Sequence, residues 1–437
     1  MLQIMLWTRL RAVKPQNVVF TITRSLNSNI QDTHVQIQEK LYTRDQMTNV
    51  TPKILSHINR NLHRQPHHPL CLIKQKIVNY MYDKYKHHRG NQHRGMPLFS
   101  VHEDLSPVVT LEQNFDSLLV AKDHVSRKKS DSYYVDSGHM LRAHTSAHQS
   151  DLIKMGLDNF LVVGDVYRRD EIDATHYPVF HQMEGVRLIS NTDNGLTLFE
   201  AGDRDNVKQG VHSLDAARLV EADLKECLLG LAKHLFGDNV QYRWVDCYFP
   251  FTHPSWELEV FYNNDWLEVL GCGVMEQEIL FKAGVHDKVG WAFGLGLERL
   301  AMVLYSIPDI RLFWSNDSGF LSQFESATPD SNIVYKTLSK FPQCTNDVSF
   351  WLPQHDDDSL EEFSENDFYD LVRDVGGDMV EQVKLVDNFK HPKTGKTSHC
   401  YRIVYRHMSK TLTQAEANEI HQEIERVAVE KLNVTIR

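Results

Sequence analysis

The sequence predicts an α+β chain of two unlike parts, an antiparallel-sheet domain followed by a smaller βαββαβ unit of ferredoxin-like order. Three observations carry this reading. Two apolar-alternating runs, Phe160 to Tyr167 and Pro178 to Ile189, flank a long charged loop. Three more strand-like runs, Arg243 to Phe249, Trp256 to Tyr262 and Trp266 to Val274, follow with Asn263, Asn264 and Asp265 as a turn. Beyond Thr345 short strand and helix patterns alternate to the end.

Composition narrows the class. The 437 residues, 41% hydrophobic, are enough for two or three domains with a real core. A net charge of -11 excludes indiscriminate binding to nucleic acid, so any RNA partner must meet a local basic patch. Six cysteines without a CxxC pair suit neither a zinc knuckle nor a disulfide framework, and a reducing compartment is expected. No run approaches the roughly 18 apolar residues of a membrane span. Residues 1–31 hold Arg9, Arg11, Lys14 and Arg24 with no acid before Asp32, the composition of a mitochondrial transit peptide; a plain basic N-terminus is the alternative.

Residues 32–68 read as an N-terminal linker. Its histidines, His57, His63, His67 and His68, are spaced too irregularly for a metal scaffold, which makes a solvated segment the better reading. From Pro69 a helix is expected, with Leu70, Ile73, Ile77, Met81 and Tyr85 on one face. Met96 to Val109 is strand-like, and NFDSLL at Asn114 to Leu119 opens a helix or turn. In LRAHTSAHQ, His144 and His148 would share a helix face, but no third metal ligand stands at an obvious distance. The donors of His144, Ser146 and Gln149 suit a carboxylate or an amine, and N-capping by Thr145 or Ser146 is the plain alternative.

The loop between the two central strands, with Arg168, Arg169, Asp170, Glu171, Asp173 and His176, is longer than a hairpin needs and is read as gripping a triphosphate. A helix from Ser213 to Leu235 follows, with Leu214, Ala217, Val220, Leu224 and Leu228 as its buried stripe. Glu257, Glu259 and Glu268 stand in the sheet. They are either metal or amine contacts or the wet face of a one-sided sheet. Gly290 to Arg311 reads as strand, glycine turn and helix. Its GxG at Gly294 and Gly296 lacks the third glycine of a dinucleotide site, and Arg299 in the first helical turn calls for an anion.

Residues 313–344 are expected to be a linker, and 345–437 the βαββαβ unit, with Thr413 and Glu416 as a capping box. Gln354 to Asp370 carries eight acids and no Lys or Arg, whereas Asn388 to Lys410 is basic with Tyr401 and Tyr405 interleaved. The latter suits looped RNA or is a solvated hairpin.

GDVYRRDEIDATHYPVFHQMEGVRL resembles motif 2 of the class II aminoacyl-tRNA synthetases in their phenylalanyl form, and GWAFGLGLERLAMVLY resembles motif 3. NFDSLL, LRAHTSAHQ, FPFTHPSWELEV and WLEVLGCGV complete the pattern in order, from about Pro69 onward. The resemblance implies a class II catalytic domain over 69–312 and a ferredoxin-fold anticodon-binding domain over 345–437, joined in one chain as in the mitochondrial, monomeric members. It implies phenylalanine activation by ATP with Mg²⁺, then transfer to mitochondrial tRNA(Phe) in the matrix. By position, Arg168 would hold the α-phosphate and Arg299 the γ-phosphate, with His176 near the pyrophosphate, Phe293 against the adenine and Glu268 binding ATP, through Mg²⁺ if one is present. Ser146, Gln149, Gln182 and Glu184, with His144, would orient the amino acid's charged end, and Ala147, His148, Thr175, Tyr177 and Met183 of the same matched segments would bind substrate with them. Phe249 and Phe251 would flank its ring and Ala292 would stand at the para position. Lys390, Lys393, Lys396, Arg402 and Arg406 would meet tRNA. Gly164-Asp165 stands where many bacterial members have Gly-Arg.

Overall fold

The computed structural model describes residues 33–87, 95–191, 195–315, 318–336, 341–353 and 363–437; the transit segment and the acidic stretch at 355–362 lie outside them. A hairpin of β1 (His34–Ile37) and β2 (Lys40–Thr43) leads into the main domain. Its sheet has seven strands: β3 (Ser100–His102), β6 (Asn159–Tyr167), β7 (Val179–Ser190), β11 (Lys288–Gly296), β10 (Asp265–Met275), β9 (Thr252–Tyr262) and β8 (Gln241–Phe249), in that spatial order. All pairs are antiparallel except β3 with β6. The short pair β4 (Val108–Thr110) and β5 (His139–Leu141) lies apart from it.

Three helices cover one face. Helix α1 (Pro69–Lys84) starts with Pro at its first position, where the missing N–H costs nothing, and the His68 ring accepts from the Leu70 N–H. Its expected stripe is buried. Helix α2 (Leu214–Phe236) is capped by Ser213 and buries the expected stripe except Leu214, 41% exposed, since the first turn turns Ala216 and Ala217 inward instead. Helix α3 (Leu297–Tyr305) completes the layer. Asn263 and Asn264 both take positive φ and close β9 onto β10 as a two-residue turn, so Asp265 opens the strand. On the opposite face a smaller cluster built on Phe115, Leu118, Leu152 and Ile279 packs on Phe160, Val186 and Ala292.

Two expected linkers belong to this core. Val35, Ile37, Ile54 and Leu62 are buried in it, as are Phe313, Trp314, Phe320 and Phe324. Of the histidines of 32–68, His57, His63 and His68 are buried too: His68 meets the Phe313 carbonyl at 3.0 Å, and His57 packs edge-on to Trp314. Burial pushes His63 down to about 3 and His57 and His68 down to about 4, so they serve as neutral core groups. Polar composition hid this, since imidazoles with a carbonyl or ring to meet pack as well as apolar groups.

The C-terminal unit has the expected order: β12 (Cys344–Trp351), α4 (Glu365–Gly376), β13 (Val380–Lys390), β14 (Thr397–Tyr405), α5 (Gln414–Leu432) and β15 (Thr435–Ile436). The Thr413–Glu416 capping box is formed. This unit sits on the charged loop between β6 and β7. Ile172 enters its apolar core, and the Ile172 carbonyl accepts from the Val383 N–H at 2.9 Å. Arg169 bonds Asp370 at 2.6 Å and Asp367 at 2.7 Å, Tyr133 also donates to Asp370, and Arg373 donates to the Asp170 and Glu171 carbonyls.

Ile172→Asp should therefore place an unpaired carboxylate in that core, costing roughly 2–4 kcal/mol of docking. Limited proteolysis of the folded variant should cut between the two units faster than in wild type; equal cleavage rates would contradict the anchoring role of Ile172.

Candidate active site

The cleft opens on the sheet face away from α1–α3 and encloses about 630 Å³. Strand alternation builds its floor: Gln182 and Glu184 of β7 face the cleft, whereas Met183 between them is fully buried on the helix-covered side. Glu184 is 3% exposed, and neither carboxylate oxygen has a hydrogen-bond partner among the described residues. Burial pushes its acid up to about 8, countered only in part by the nearby hydroxyls of Ser146 and Thr145.

His144 stands at the rim as the N-terminal residue of a short turn, Thr145–His148, and its ring makes no cap bond. Burial, and then the Arg168 charge beside it, push its imidazole down to about 3, so it is neutral in the cleft. His148 turns the other way and meets Arg142 at 2.9 Å, which ends the shared-face metal reading. Arg142 also holds Asp165 at 2.6 Å, so the aspartate at the Gly164-Asp165 departure is matched by a buried partner. Ala147 and Gln149 are buried behind the cleft, Gln149 against the Met275 sulfur.

Phe249 and Phe251 stack at 5.8 Å with 14° between their planes. A Cβ on Gly271 would stand 2.7 Å from the Phe249 ring, so glycine there lets the ring lie on the sheet. With Ala292 they line an apolar slot next to Glu184.

At the other end, Arg168 donates from Nε to the Ala143 carbonyl at 2.8 Å and lies over the Phe180 ring at 5.2 Å. No other side-chain hydrogen bond from Arg168 is seen among the described residues, so its terminal nitrogens are available to the cleft. Above Gly294 and Gly296 is open space, where an added Cβ would meet nothing within 4 Å. Arg299 reaches Glu268 at 2.9 Å, both side chains about half exposed. Glu268 is paired across the strands with Glu259, which Arg243 holds. Burial, and then Glu268 and Glu259, raise the Glu257 carboxyl. The acidic strand face is thus a crowded carboxylate set tied by arginines, with oxygen donors of the kind a hard divalent cation takes.

Several expected site residues lie elsewhere. His176 and Thr175 bond Asp173 in the loop tip, and Tyr177 donates to Asp378 of the C-terminal unit at 2.9 Å. None of the three lines the cleft. Glu171, Asp173 and His176 could bring ligand atoms within 4.8 Å of one another, but Asp173 already accepts from His176 and Thr175. The Phe293 ring covers Gly185 on the helix-covered side and lies 6.1 Å from Trp291, with the residue also at the cleft wall. Phe180, on the same side of β7 as Gln182 and Glu184, is the aromatic the sequence reading missed; counting back by two from Glu184 would have found it.

On the C-terminal unit, Lys390, Lys393 and Lys396 are exposed, but Arg402 is held by Asp347 and Arg406 by Glu381. Tyr401 and Tyr405 are fully buried. The aromatic groups beside the lysines are instead Trp351, Phe389 and His391, with the Arg437 guanidinium over Trp351 and Phe389 at 5.2 and 5.4 Å.

Comparison with known proteins agrees with this layout. Residues 98–198 and 214–324 match the family of class II tRNA synthetase core domains, and 339–437 match the ferredoxin-fold anticodon binding domain. A probable mitochondrial phenylalanine–tRNA ligase of Drosophila melanogaster is 58% identical, with 92% of each chain covered. The mitochondrial phenylalanine–tRNA ligase of Mus musculus is 56% identical over 92% of this chain and 88% of its own. That of Saccharomyces cerevisiae is 38% identical over 94% and 97%.

Glu184 also sets a pH dependence. Its acid is raised from 4.5 to about 8 in the folded state, so its folded form holds the proton more tightly than the unfolded chain. Stability from this group is full below about pH 4.5 and falls as pH rises toward about 8. Urea denaturation of Glu184→Gln should show a flatter pH slope from 5 to 8, and at pH 8 the variant should be the more stable by roughly 2–4 kcal/mol. Parallel curves would contradict the burial argument.

Proposed function

The chain belongs to the phenylalanine–tRNA ligases of mitochondrial type, and from that premise we propose how this cleft joins phenylalanine to tRNA(Phe). The reaction runs in two steps: phenylalanine's carboxylate attacks the α-phosphorus of ATP and releases pyrophosphate, then a hydroxyl of the tRNA's 3′-terminal adenosine takes the phenylalanyl group. The observation that carries the assignment of roles is the polarity of the cleft. A stacked Phe249–Phe251 slot with a lone buried carboxylate stands at one end, and two arginines stand at the other.

Phenylalanine's ring enters the slot over Ala292, and its ammonium gives Glu184 the cation it lacks, with Ser146, Gln182 and His144 around it. Its carboxylate then points toward Arg168. The adenine lies over the open backbone at Gly294 and Gly296, with its edge toward the Phe180 ring that Arg168 covers. Arg168 takes the α-phosphate, where charge builds on the pentavalent phosphorus. Arg299 exchanges Glu268 for the γ-phosphate. The freed Glu268, with Glu257, fits Mg²⁺ by its oxygen donors, and the ion when bound neutralises phosphate charge. No protein nucleophile is required, so position and electrostatics supply the rate.

Catalytic and anticodon-binding parts on one chain support action as a monomer, and the relatives' names support the mitochondrion, with the matrix as the site of its tRNA. The tRNA-binding reading moves from Arg402 and Arg406 to the open sheet face. There Trp351 and Phe389 offer rings to unpaired bases while Lys390, Lys393 and Lys396 meet phosphates, a local basic patch on an acidic chain.

Arg168→Ala should lower phenylalanine-dependent ATP–pyrophosphate exchange by roughly a hundredfold or more; exchange within tenfold of wild type would refute its role. Trp351→Ala should leave that exchange unchanged and raise KM for tRNA(Phe) by about tenfold in aminoacylation, the worth of one stacked base. An unchanged KM would remove Trp351 from the tRNA surface.

A further inference from the structure

Motif 3 places two charged residues side by side, and only Arg299 faces the cleft. Glu298 points the opposite way: it is 2% exposed, and its carboxylate is fully engaged with β7. One oxygen accepts the His181 backbone N–H at 2.8 Å, and the other meets the His181 ring Nδ1 at 2.7 Å. His181 is itself fully buried, next to Gln182 and on the side of β7 opposite Phe180, Gln182 and Glu184.

The reason for the pairing lies in the sheet. Strand β11 runs beside β7 up to the pair Gly296–Gln182, and at Leu297 the chain turns into α3. The next N–H of β7 on that side, at His181, has lost its strand partner. Glu298 reaches back from the first turn of α3 and replaces the missing carbonyl, while the ring of the same residue takes the second oxygen. Because both oxygens accept, the His181 ring carries its proton on Nδ1; Nε2 has no partner among the described residues.

We propose that Glu298 and His181 are a positioning pair for adenylate formation, fixing the start of α3, and therefore Arg299, against the strand that carries Phe180 and Gln182. Neither residue touches substrate. They act through neighbours: a shift of about 1 Å between α3 and β7 would move the γ-phosphate arginine relative to the adenine platform, enough to cost on the order of a hundredfold in a positioned reaction. Glu184 stands three residues further along β7, where β11 is still paired with it, and Phe249 and Phe251 lie on another strand and its turn, so the phenylalanine end moves less than Arg299 does. This inference rests on the roles given above to Arg299 and Phe180.

The test is steady-state ATP–pyrophosphate exchange on the full-length chain, with ATP and phenylalanine varied separately. Glu298→Ala should raise KM for ATP about tenfold or more and move KM for phenylalanine by less than about threefold. Glu298→Gln keeps an acceptor for the N–H and can donate to Nδ1 once the ring proton moves to Nε2, so it should stay within about threefold of wild type for both. His181→Ala should match Glu298→Ala, and the double variant should be no worse than either by more than about twofold, since one unit is removed. Should Glu298→Ala fail to fold, Glu298→Asp keeps the charge but is one methylene short, and KM for ATP should still rise about threefold or more. A fall in exchange that matches the loss of folded protein by circular dichroism, with both KM values unchanged, overturns the proposal, as does an equal rise in both KM values or a soluble Glu298→Asp with wild-type KM for ATP. Absence of exchange in the wild-type protein would refute the parent reading instead.

Discussion

A strand buried on both faces cannot hold a carboxyl group without a partner at no cost, and β7 holds one at Glu184, whose acid burial raises to about 8. The rest of the domain is arranged around that constraint. On one side of β7, His181 and Met183 are fully buried, and the helices α1, α2 and α3 close over that face. On the other side Phe180, Gln182 and Glu184 face the cleft in sequence, so an aromatic face, an amide and a carboxylate are lined up about 7 Å apart by strand geometry alone. The cost of leaving Glu184 unpaired in the empty site becomes selectivity when a ligand brings an ammonium, because only a cation restores what burial removes.

Glycine and alanine positions do complementary work around that strand. Gly271 lets Phe249 lie flat, and Gly185 admits the Phe293 ring over β7 from the helix side. Gly294 and Gly296 face open space, so their lack of a side chain leaves room for a ligand and not for a neighbour. The two kinds are indistinguishable in sequence. Their difference appears only once the direction of the adjacent strand is known, which is why GxG reads ambiguously on its own.

Much of the fold was legible because its signals are local. Alternation gave β6, β7 and β8 to β11 within a few residues, the Asn263–Asn264 pair gave the turn, and the Thr413–Glu416 box gave α5. The segments 32–68 and 313–344 misled because their burial depends on partners far along the chain, such as the contact of His68 with the Phe313 carbonyl. Within the cleft, the matched segments contribute lining residues, but alternation along them decides which residues face it. His148 and Tyr177 stand in those segments and point elsewhere. Tyr401 and Tyr405 misled for the same reason: interleaving with basic residues says nothing about which face of β14 is covered.

The adjacent arginines of the charged loop show how facing assigns function where composition cannot. Arg168 ends the strand and turns back to the Ala143 carbonyl and the Phe180 ring, inside the cleft. Arg169, one residue on in extended chain, points to the other side and is clamped by Asp367 and Asp370 of the C-terminal unit. Arg168 is left with donors to offer, whereas Arg169 has a carboxylate pair and the Lys129 carbonyl. A phosphate can therefore be gripped by the first without competing for the second. On the proposed reading the loop offers Arg168 to the substrates and docks the second unit through Arg169, Ile172 and Tyr177. The loop's unusual length follows from this double duty: a hairpin turn of two to five residues could present Arg168, but it could not also reach the second domain's core with Ile172.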